Sequence, residues 1–191
     1  MCFLPSRSSE KPRSGLISYS PERGGLPQSL RSFVMTTTYY KNIFELKYMV
    51  RYYNDDCTYR LPEKRLTAAW LKRVAEEEGY TLGDVTYIFC SSAVHRKMNV
   101  DFIGHDYFTD VITFDYSDLR GEGVVSGDIF IDVDTVRDNA RIYGATALHE
   151  MRRVVVHGLL HLCGQKDKTP RAEKQMHKKE DKYLAKFYEE A

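Results

Sequence analysis

From residue 51 onward, the hydrophobic positions follow strand-like patterns in some segments and helix-like patterns in others. Short runs rich in β-branched and aromatic residues predict strands at 51–54, 85–90, 111–116 and 126–133. A glycine-containing loop separates the last two runs, which indicates a hairpin. The chain therefore supplies four short strands.

Between and after these strands, apolar residues recur three and four positions apart, as in an amphipathic helix. Pro62 suits a first helical position, Ser91 and Ser92 can cap a second helix, and Thr146 can cap a later one. The expected helices lie at 62–78, 92–102, 134–143, 147–163 and from 171 to the chain end. The pattern predicts an α/β (α+β) domain with a small, mixed four-stranded sheet and about five helices.

The first part of the chain has a different composition. Residues 5–32 are rich in Ser, Pro, Gly and Arg, and such a stretch cannot bury enough apolar surface to offset its ordering entropy. Met35 and Met49 are both possible internal starts. We interpret residues 1–48 either as a disordered leader or as an over-extended reading frame, and residues 49–191 as a single domain.

Composition narrows the function classes. The 191 residues carry a net charge of +1, which gives no argument for nucleic-acid or membrane binding from charge alone. The sequence has no 18-residue apolar run, which excludes a membrane span, and no apolar segment of a secretory signal at the N-terminus. Its four cysteines form no Cys-x-x-Cys pair, so a reducing compartment suits them and we expect the cytoplasm.

The segment around His157 and His161 carries the candidate chemistry. Four positions apart on a helix, the two imidazoles project from one face. Gly164 can end that helix and turn the chain back, so that Asp167 supplies a third, oxygen ligand. Three protein ligands and one open position are typical of a catalytic zinc site, and we expect one Zn²⁺ ion. The alternative is a histidine pair partly buried in an apolar helix, but Gly164 and Asp167 favour the metal.

Position 158 separates this site from one class of zinc hydrolase. Metalloproteases of the zincin type have the motif H-E-x-x-H, in which the Glu is the general base. Here residue 158 is Gly. The sequence therefore argues against peptide hydrolysis.

The segment HGLLHLCGQKD, residues 157–167, resembles the signature of the YbeY family of metal-dependent endoribonucleases. Residues 99–106, 109–114 and 126–129 also match that family. The resemblance implies a small sheet with a zincin-like metal-binding helix. It also implies a single-strand endoribonuclease that matures ribosomal RNA near the 3′ end of the small-subunit RNA and acts in ribosome quality control. The implied partners are ribosomal RNA, the small ribosomal subunit and assembly factors, without a membrane.

Two positions depart from the family pattern. Asp167 stands where the family usually has a third histidine ligand, and Ile103 stands where most members have an arginine thought to serve activity. His105 is the candidate catalytic residue that could compensate, although an ordinary loop histidine is the simpler interpretation. Because of Ile103, the alternative function is a non-catalytic, metal-bearing ribosome assembly factor, and a metalloprotease comes third.

Other residues are weaker candidates. Carboxylates at 106, 110 and 128 could orient a metal-binding histidine, but aspartates beside strands are usually caps or turn formers. Cys163 points away from the two histidines and is expected in the core. Tyr107 and Phe108 are candidates for base stacking. A basic run could meet RNA phosphates or form a solvated helix face: Lys166, Lys168, Arg171, Lys174, Lys178 and Lys179.

Overall fold

A mixed sheet forms the centre of the protein. The computed structural model describes residues 3–4, 48–103 and 109–190. The interpretation of residues 1–48 as a leader concerns positions that, apart from 3–4 and 48, lie outside the described residues. The strands are β1 (Phe3–Leu4), β2 (Met49–Asp55), β3 (Thr81–Cys90), β4 (Val111–Asp115) and β5 (Val124–Asp132), in the spatial order β1-β4-β5-β3-β2.

The strand pairing confirms the predicted mixed sheet. β4 and β5 are antiparallel and consecutive, as the predicted hairpin requires, and Gly121 and Gly123 in their connection have positive φ. β3 pairs in parallel with both β2 and β5. The two-residue β1 pairs in parallel with β4 and adds an edge that the sequence did not predict.

The described part of the chain has five α-helices, as predicted. They are α1 (Lys64–Glu77), α2 (Ser92–Met98), α3 (Val133–Ile142), α4 (Ala147–Leu162) and α5 (Pro170–Glu190). Two boundaries differ from the prediction. α1 begins two residues after Pro62, because Glu63 adopts a left-handed conformation at the cap. The helix after Ser91 changes at Met98 to a π-helical segment, Asn99–Ile103.

Side-chain caps fix where the helices start. The Thr146 hydroxyl accepts from the backbone N–H of His149 at 3.2 Å, which is the predicted cap of α4. The Asp132 carboxylate accepts from two backbone N–H groups and begins α3 directly at the end of β5. Because the strand passes into the helix without a loop, α3 has a fixed position at the end of β5.

The core lies between one face of the sheet and α4. Ile129 and Ile131 of β5 are fully buried in one apolar cluster with Val155 and Leu159 of α4. The hydroxyl of Tyr87 in β3 donates to the backbone carbonyl of Val155 at 3.0 Å and ties α4 to the sheet. The central helix is therefore a rigid support for the side chains on its other faces.

α5 packs against α4 and α1 to complete the domain. The indole N–H of Trp70 in α1 donates to the backbone carbonyl of Tyr183 in α5 at 2.9 Å, within the core. Among the helices of the described ranges, none combines the length and the apolar character that a membrane crossing requires.

Candidate metal centre

His157 and His161 lie one turn apart on α4, as their spacing predicts. Both side chains are largely buried, and their rings meet edge to face with centroids 4.5 Å apart. Because the apolar face of α4 packs against the sheet, the backbone that carries both imidazoles is held in place.

A glycine turn brings Asp167 to the two histidines. α4 ends at Leu162 with Cys163 as its C-cap, and Gly164 has a φ of 82°, a conformation that side-chain-bearing residues rarely adopt. The backbone N–H of Gln165 then donates to the carbonyl of Leu160 at 2.9 Å, which folds the chain back along the helix. Oδ2 of Asp167 thereby lies 3.6 Å from Nε2 of His161 and 3.9 Å from Nε2 of His157.

The three side chains form one donor set. One ligand atom from each of His157, His161 and Asp167 lies within 4.8 Å of the others. Two imidazole nitrogens and one carboxylate oxygen are a common catalytic zinc set. The cluster is therefore a possible metal site.

Each histidine is oriented through its other ring nitrogen. Nδ1 of His157 lies 2.6 Å from a carboxylate oxygen of Glu180, and Nδ1 of His161 lies 2.8 Å from the backbone carbonyl of Gln165. Both acceptors suit an N–H at Nδ1, and Nε2 is then the ring nitrogen that faces Asp167. Such contacts fix the tautomer and orientation of metal-binding histidines. The donor set and its supporting contacts both fit a divalent metal.

Glu180 is a functional residue that sequence reasoning missed. It is 1% exposed and also accepts hydrogen bonds from Arg153 at 3.2 Å and from His177 at 3.1 Å. Burial alone would raise its pKa, but the hydrogen bonds from His157, His177 and Arg153 outweigh burial and lower the pKa to about 2. Glu180 is therefore a carboxylate anion at neutral pH.

The carboxyl of Asp167 is also kept ionised. Burial would raise its pKa, but the neighbouring His161 and His157 outweigh that effect and lower the pKa below its usual value. An ionised carboxylate is the form that binds a metal.

Comparison with known proteins identifies the family. Residues 53–188 match the family described as Endoribonuclease YbeY. A protein named endoribonuclease YbeY from Cytophaga hutchinsonii is 43% identical over 134 residues, which cover 70% of this chain and 92% of that protein. The chain belongs to the YbeY family. A second YbeY, from Bacteroides thetaiotaomicron, is 46% identical over 123 residues, 64% of this chain and 88% of its own.

The fold also has a solved counterpart. The solution structure of TM1509 from Thermotoga maritima is similar, with a TM-score of 0.51 and 27% sequence identity, over 74% of this chain and 91% of that chain. The family match confirms the resemblance seen in residues 157–167. The mixed sheet and the five helices confirm the fold that this YbeY resemblance implied.

A cleft opens beside the histidines of this YbeY-family chain. It has a volume of about 650 Å³, within the range typical of ligand sites. His157, Asp167 and Glu180 are among its lining residues, as are Glu150 and Tyr143. Burial raises the pKa of Glu150, and the nearby Arg153 offsets this only in part.

Of the weaker candidate residues, some line the cleft and others lie away from it. Asp110 lines the cleft, whereas Asp128 on β5 accepts from the hydroxyl of Tyr116 at 3.3 Å. Cys163 is buried as predicted, and burial raises the pKa of its thiol to about 12. Ile103 lies in the π-helical segment. The remaining candidates lie outside the described residues: His105, Asp106, Tyr107 and Phe108.

The basic run divides into two parts. Lys179 is half-buried and pairs with Glu78, so its role is structural. The other five basic residues are exposed on the turn after α4 and on the first half of α5: Lys166, Lys168, Arg171, Lys174 and Lys178. They lie beside the metal cluster in sequence.

Proposed function

We propose that this chain is a zinc-dependent endoribonuclease that cuts single-stranded ribosomal RNA. Its reaction is the maturation of the 3′ end of small-subunit RNA, and it also acts in ribosome quality control. The observation that carries the proposal is the convergence of His157, His161 and Asp167 beside a cleft. Membership in a family of proteins named as endoribonucleases supports the same substrate class.

The residues of the cluster have two roles, binding the metal and orienting its histidine ligands. His157, His161 and Asp167 would hold one Zn²⁺ ion, which supplies Lewis-acid polarisation of a phosphate oxygen and lowers the pKa of an attacking water. Glu180 holds the ring of His157 in place, and the Gln165 carbonyl holds that of His161. The protein therefore contributes a fixed donor geometry.

The exposed basic residues near the cluster support RNA as the substrate. The exposed cations between Lys166 and Lys178 lie next to the cluster along the chain and offer contacts to RNA phosphates. Ribosomal RNA and the small ribosomal subunit are the partners, with assembly factors beside them. We place this work in the cytoplasm, because the three cysteines in the described part of the chain are free thiols: Cys57, Cys90 and Cys163.

Cleavage of labelled single-stranded ribosomal RNA by the full chain tests the function. The His161→Ala variant is purified in parallel, and a zinc chelator is added to a second wild-type sample. We expect cutting by the wild type, restored after chelation by added zinc, and none by His161→Ala. Equal cutting by both proteins would indicate a contaminant and remove the support for the proposal.

The alternative functions have their own outcomes. A folded, zinc-loaded chain that sediments with small subunits and never cuts RNA would be an assembly factor. A metalloprotease requires a general base beside the first histidine, and a side chain at Gly158 would place its Cβ 2.6 Å from Cγ2 of Ile129. Chelator-sensitive digestion of casein would contradict that packing argument.

A further inference from the structure

The cleft beside the metal cluster extends well beyond it. Its lining includes His157 and Asp167 and also Tyr143, which follows the last residue of α3. Its volume of about 650 Å³ is far larger than a metal ion and one phosphate group require. The cleft therefore has room for a larger part of a substrate.

Tyr143 presents an aromatic ring to this space from a fixed backbone. Its backbone N–H donates to the carbonyl of Asn139 at 2.9 Å, and Gly144 turns the chain with a φ of 65°. The backbone N–H of Ala145 then donates to the carbonyl of Ala140 at 2.9 Å and closes the turn. The side chain of Tyr143 itself is 74% exposed. An exposed aromatic on a hydrogen-bonded turn is an available stacking surface.

A second ring in the cleft is already engaged. His149 stacks on Tyr188 with centroids 5.5 Å apart and an angle of 7° between the planes. Nδ1 of His149 also lies 3.2 Å from the Tyr188 hydroxyl. Tyr143 is therefore the better candidate of the two for a new stacking partner.

The charge of the cleft indicates which part of a nucleotide enters. Asp110, Glu150 and Glu173 line it, and the positive charge of Arg153 is matched by Glu180 and Asp181. Carboxylates disfavour a phosphate but accept hydrogen bonds from the amino groups of bases. A base fits such a lining, whereas the backbone would follow the exposed cations outside.

We propose that Tyr143 stacks on a nucleobase of the single-stranded RNA, next to the phosphate held at the metal cluster. This inference rests on the endoribonuclease function and adds a residue that selects unpaired bases. A base within a duplex is stacked on both sides and cannot offer its face to Tyr143. Tyr143 therefore helps to explain how a small enzyme distinguishes single strands.

Binding of a fluorescein-labelled single-stranded oligoribonucleotide to the zinc-loaded full chain tests this role. We expect Tyr143→Ala to weaken binding by about 5- to 150-fold, the loss that corresponds to one base–aromatic stack. Tyr143→Phe and Tyr143→Trp should keep the affinity. Ile142→Ala is the matched control, because Ile142 is equally exposed at 74% but does not line the cleft.

Two further measurements separate stacking from other causes. The slope of log affinity against log salt should be the same for Tyr143→Ala and wild type, since no phosphate contact is removed. A series of oligonucleotides, each with one abasic site at a different position, locates the stacked base. At one position the abasic site should weaken binding by wild type as much as Tyr143→Ala weakens binding of the intact strand. The same abasic site should not weaken binding by Tyr143→Ala any further.

The outcomes distinguish this inference from the proposed function. Unchanged binding by Tyr143→Ala, or equal weakening by Tyr143→Phe or Ile142→Ala, would overturn the stacking role. RNA cleavage is followed on the same samples. Tyr143-dependent binding without any cleavage by wild type would overturn the nuclease proposal and leave the stacking role supported. Absence of RNA binding by wild type would overturn both.

Discussion

Nδ1 of His157 lies 2.6 Å from Oε1 of Glu180, so a buried carboxylate on α5 orients a histidine on α4. The two residues are 23 positions apart in sequence, and the carboxylate is almost fully buried. A carboxylate partner raises the basicity of the imidazole and holds Nε2 toward the other two donors. The candidate metal centre is therefore built from three elements: α4, the turn after it and α5.

Replacing Glu180 should weaken metal binding without removing a ligand. We expect Glu180→Gln to lower zinc affinity by about 10- to 100-fold, since the amide cannot supply the negative charge that supports His157. Competition against a chromophoric zinc chelator measures this.

Asp181→Asn is the control for Glu180→Gln. Asp181 accepts from Arg153 at 2.7 Å, as Glu180 does at 3.2 Å, and it is exposed. The control variant should bind zinc as wild type does. Equal zinc affinity for wild type and Glu180→Gln would show that the contact with His157 does not support the site.

The sequence predicted the three candidate ligands that the structure brings together, but not the residue that supports them. His157, His161, Gly164 and Asp167 are within eleven residues, and helical spacing with a terminal glycine relates them locally. Glu180 reaches His157 only because α5 packs against α4, which is a tertiary relationship. A local signal existed: Glu180 lies four positions after the buried Met176 and three before the buried Tyr183, on the apolar stripe of α5.

The same division holds for the fold. The antiparallel pairing of β4 and β5 followed from a short connection between consecutive strands. The parallel pairing of β3 with β5 joins strands that are not consecutive in the chain, and no local pattern specifies such a neighbour. The cleft likewise collects residues from α3, α4 and α5, so Tyr143 gave no signal in the sequence.

Replacing Asp167 should lower the affinity for zinc more than replacing Glu180 does. We expect Asp167→Ala to lower zinc affinity beyond the roughly 10- to 100-fold loss expected for a supporting residue, because a donor atom is lost. Asp167→His is the control, since an imidazole nitrogen can replace the carboxylate oxygen and is the usual third ligand implied by the family signature. Metal content and chelator competition measure both. Full zinc retention by Asp167→Ala would exclude Asp167 as a ligand.

The buried cysteines should resist alkylation at alkaline pH. Burial raises the pKa of the Cys163 and Cys90 thiols to about 12 each, because the thiolate is disfavoured away from water. At pH 9 only about one in a thousand of these thiols is ionised, and the thiolate is the reactive form. Reactivity should rise about tenfold per pH unit below the pKa and level off only above it, provided that the protein stays folded.

Iodoacetamide labelling of the native protein, read out by peptide mass spectrometry, measures this difference. Cys57 is half-buried and serves as the internal comparison, so it should be labelled first. Labelling after denaturation should modify all four cysteines of the chain, Cys2 included. Rapid modification of Cys163 in the native protein at neutral pH would contradict its place in the core.

Replacing Gly158 should destabilise the protein, because α4 packs closely against β5 at this position. A Cβ at this position would lie 2.6 Å from Cγ2 of Ile129 on β5, closer than side-chain atoms approach. Both residues are fully buried, so the sheet and α4 would have to move apart. We expect Gly158→Ala to lower the free energy of unfolding by about 1–3 kcal/mol. This loss appears despite the gain of about 0.5–1 kcal/mol that alanine brings to a helix.

Urea unfolding of the metal-free chain measures the effect of Gly158→Ala, and a double-mutant cycle with Ile129→Ala assigns its cause. If the contact between the two positions carries the loss, the double variant is less destabilised than the sum of the single variants. Strict additivity would place the strain elsewhere. A glutamate at 158 carries the same Cβ and more atoms beyond it. The close approach of α4 to β5 therefore disfavours a zincin-type general base at this position.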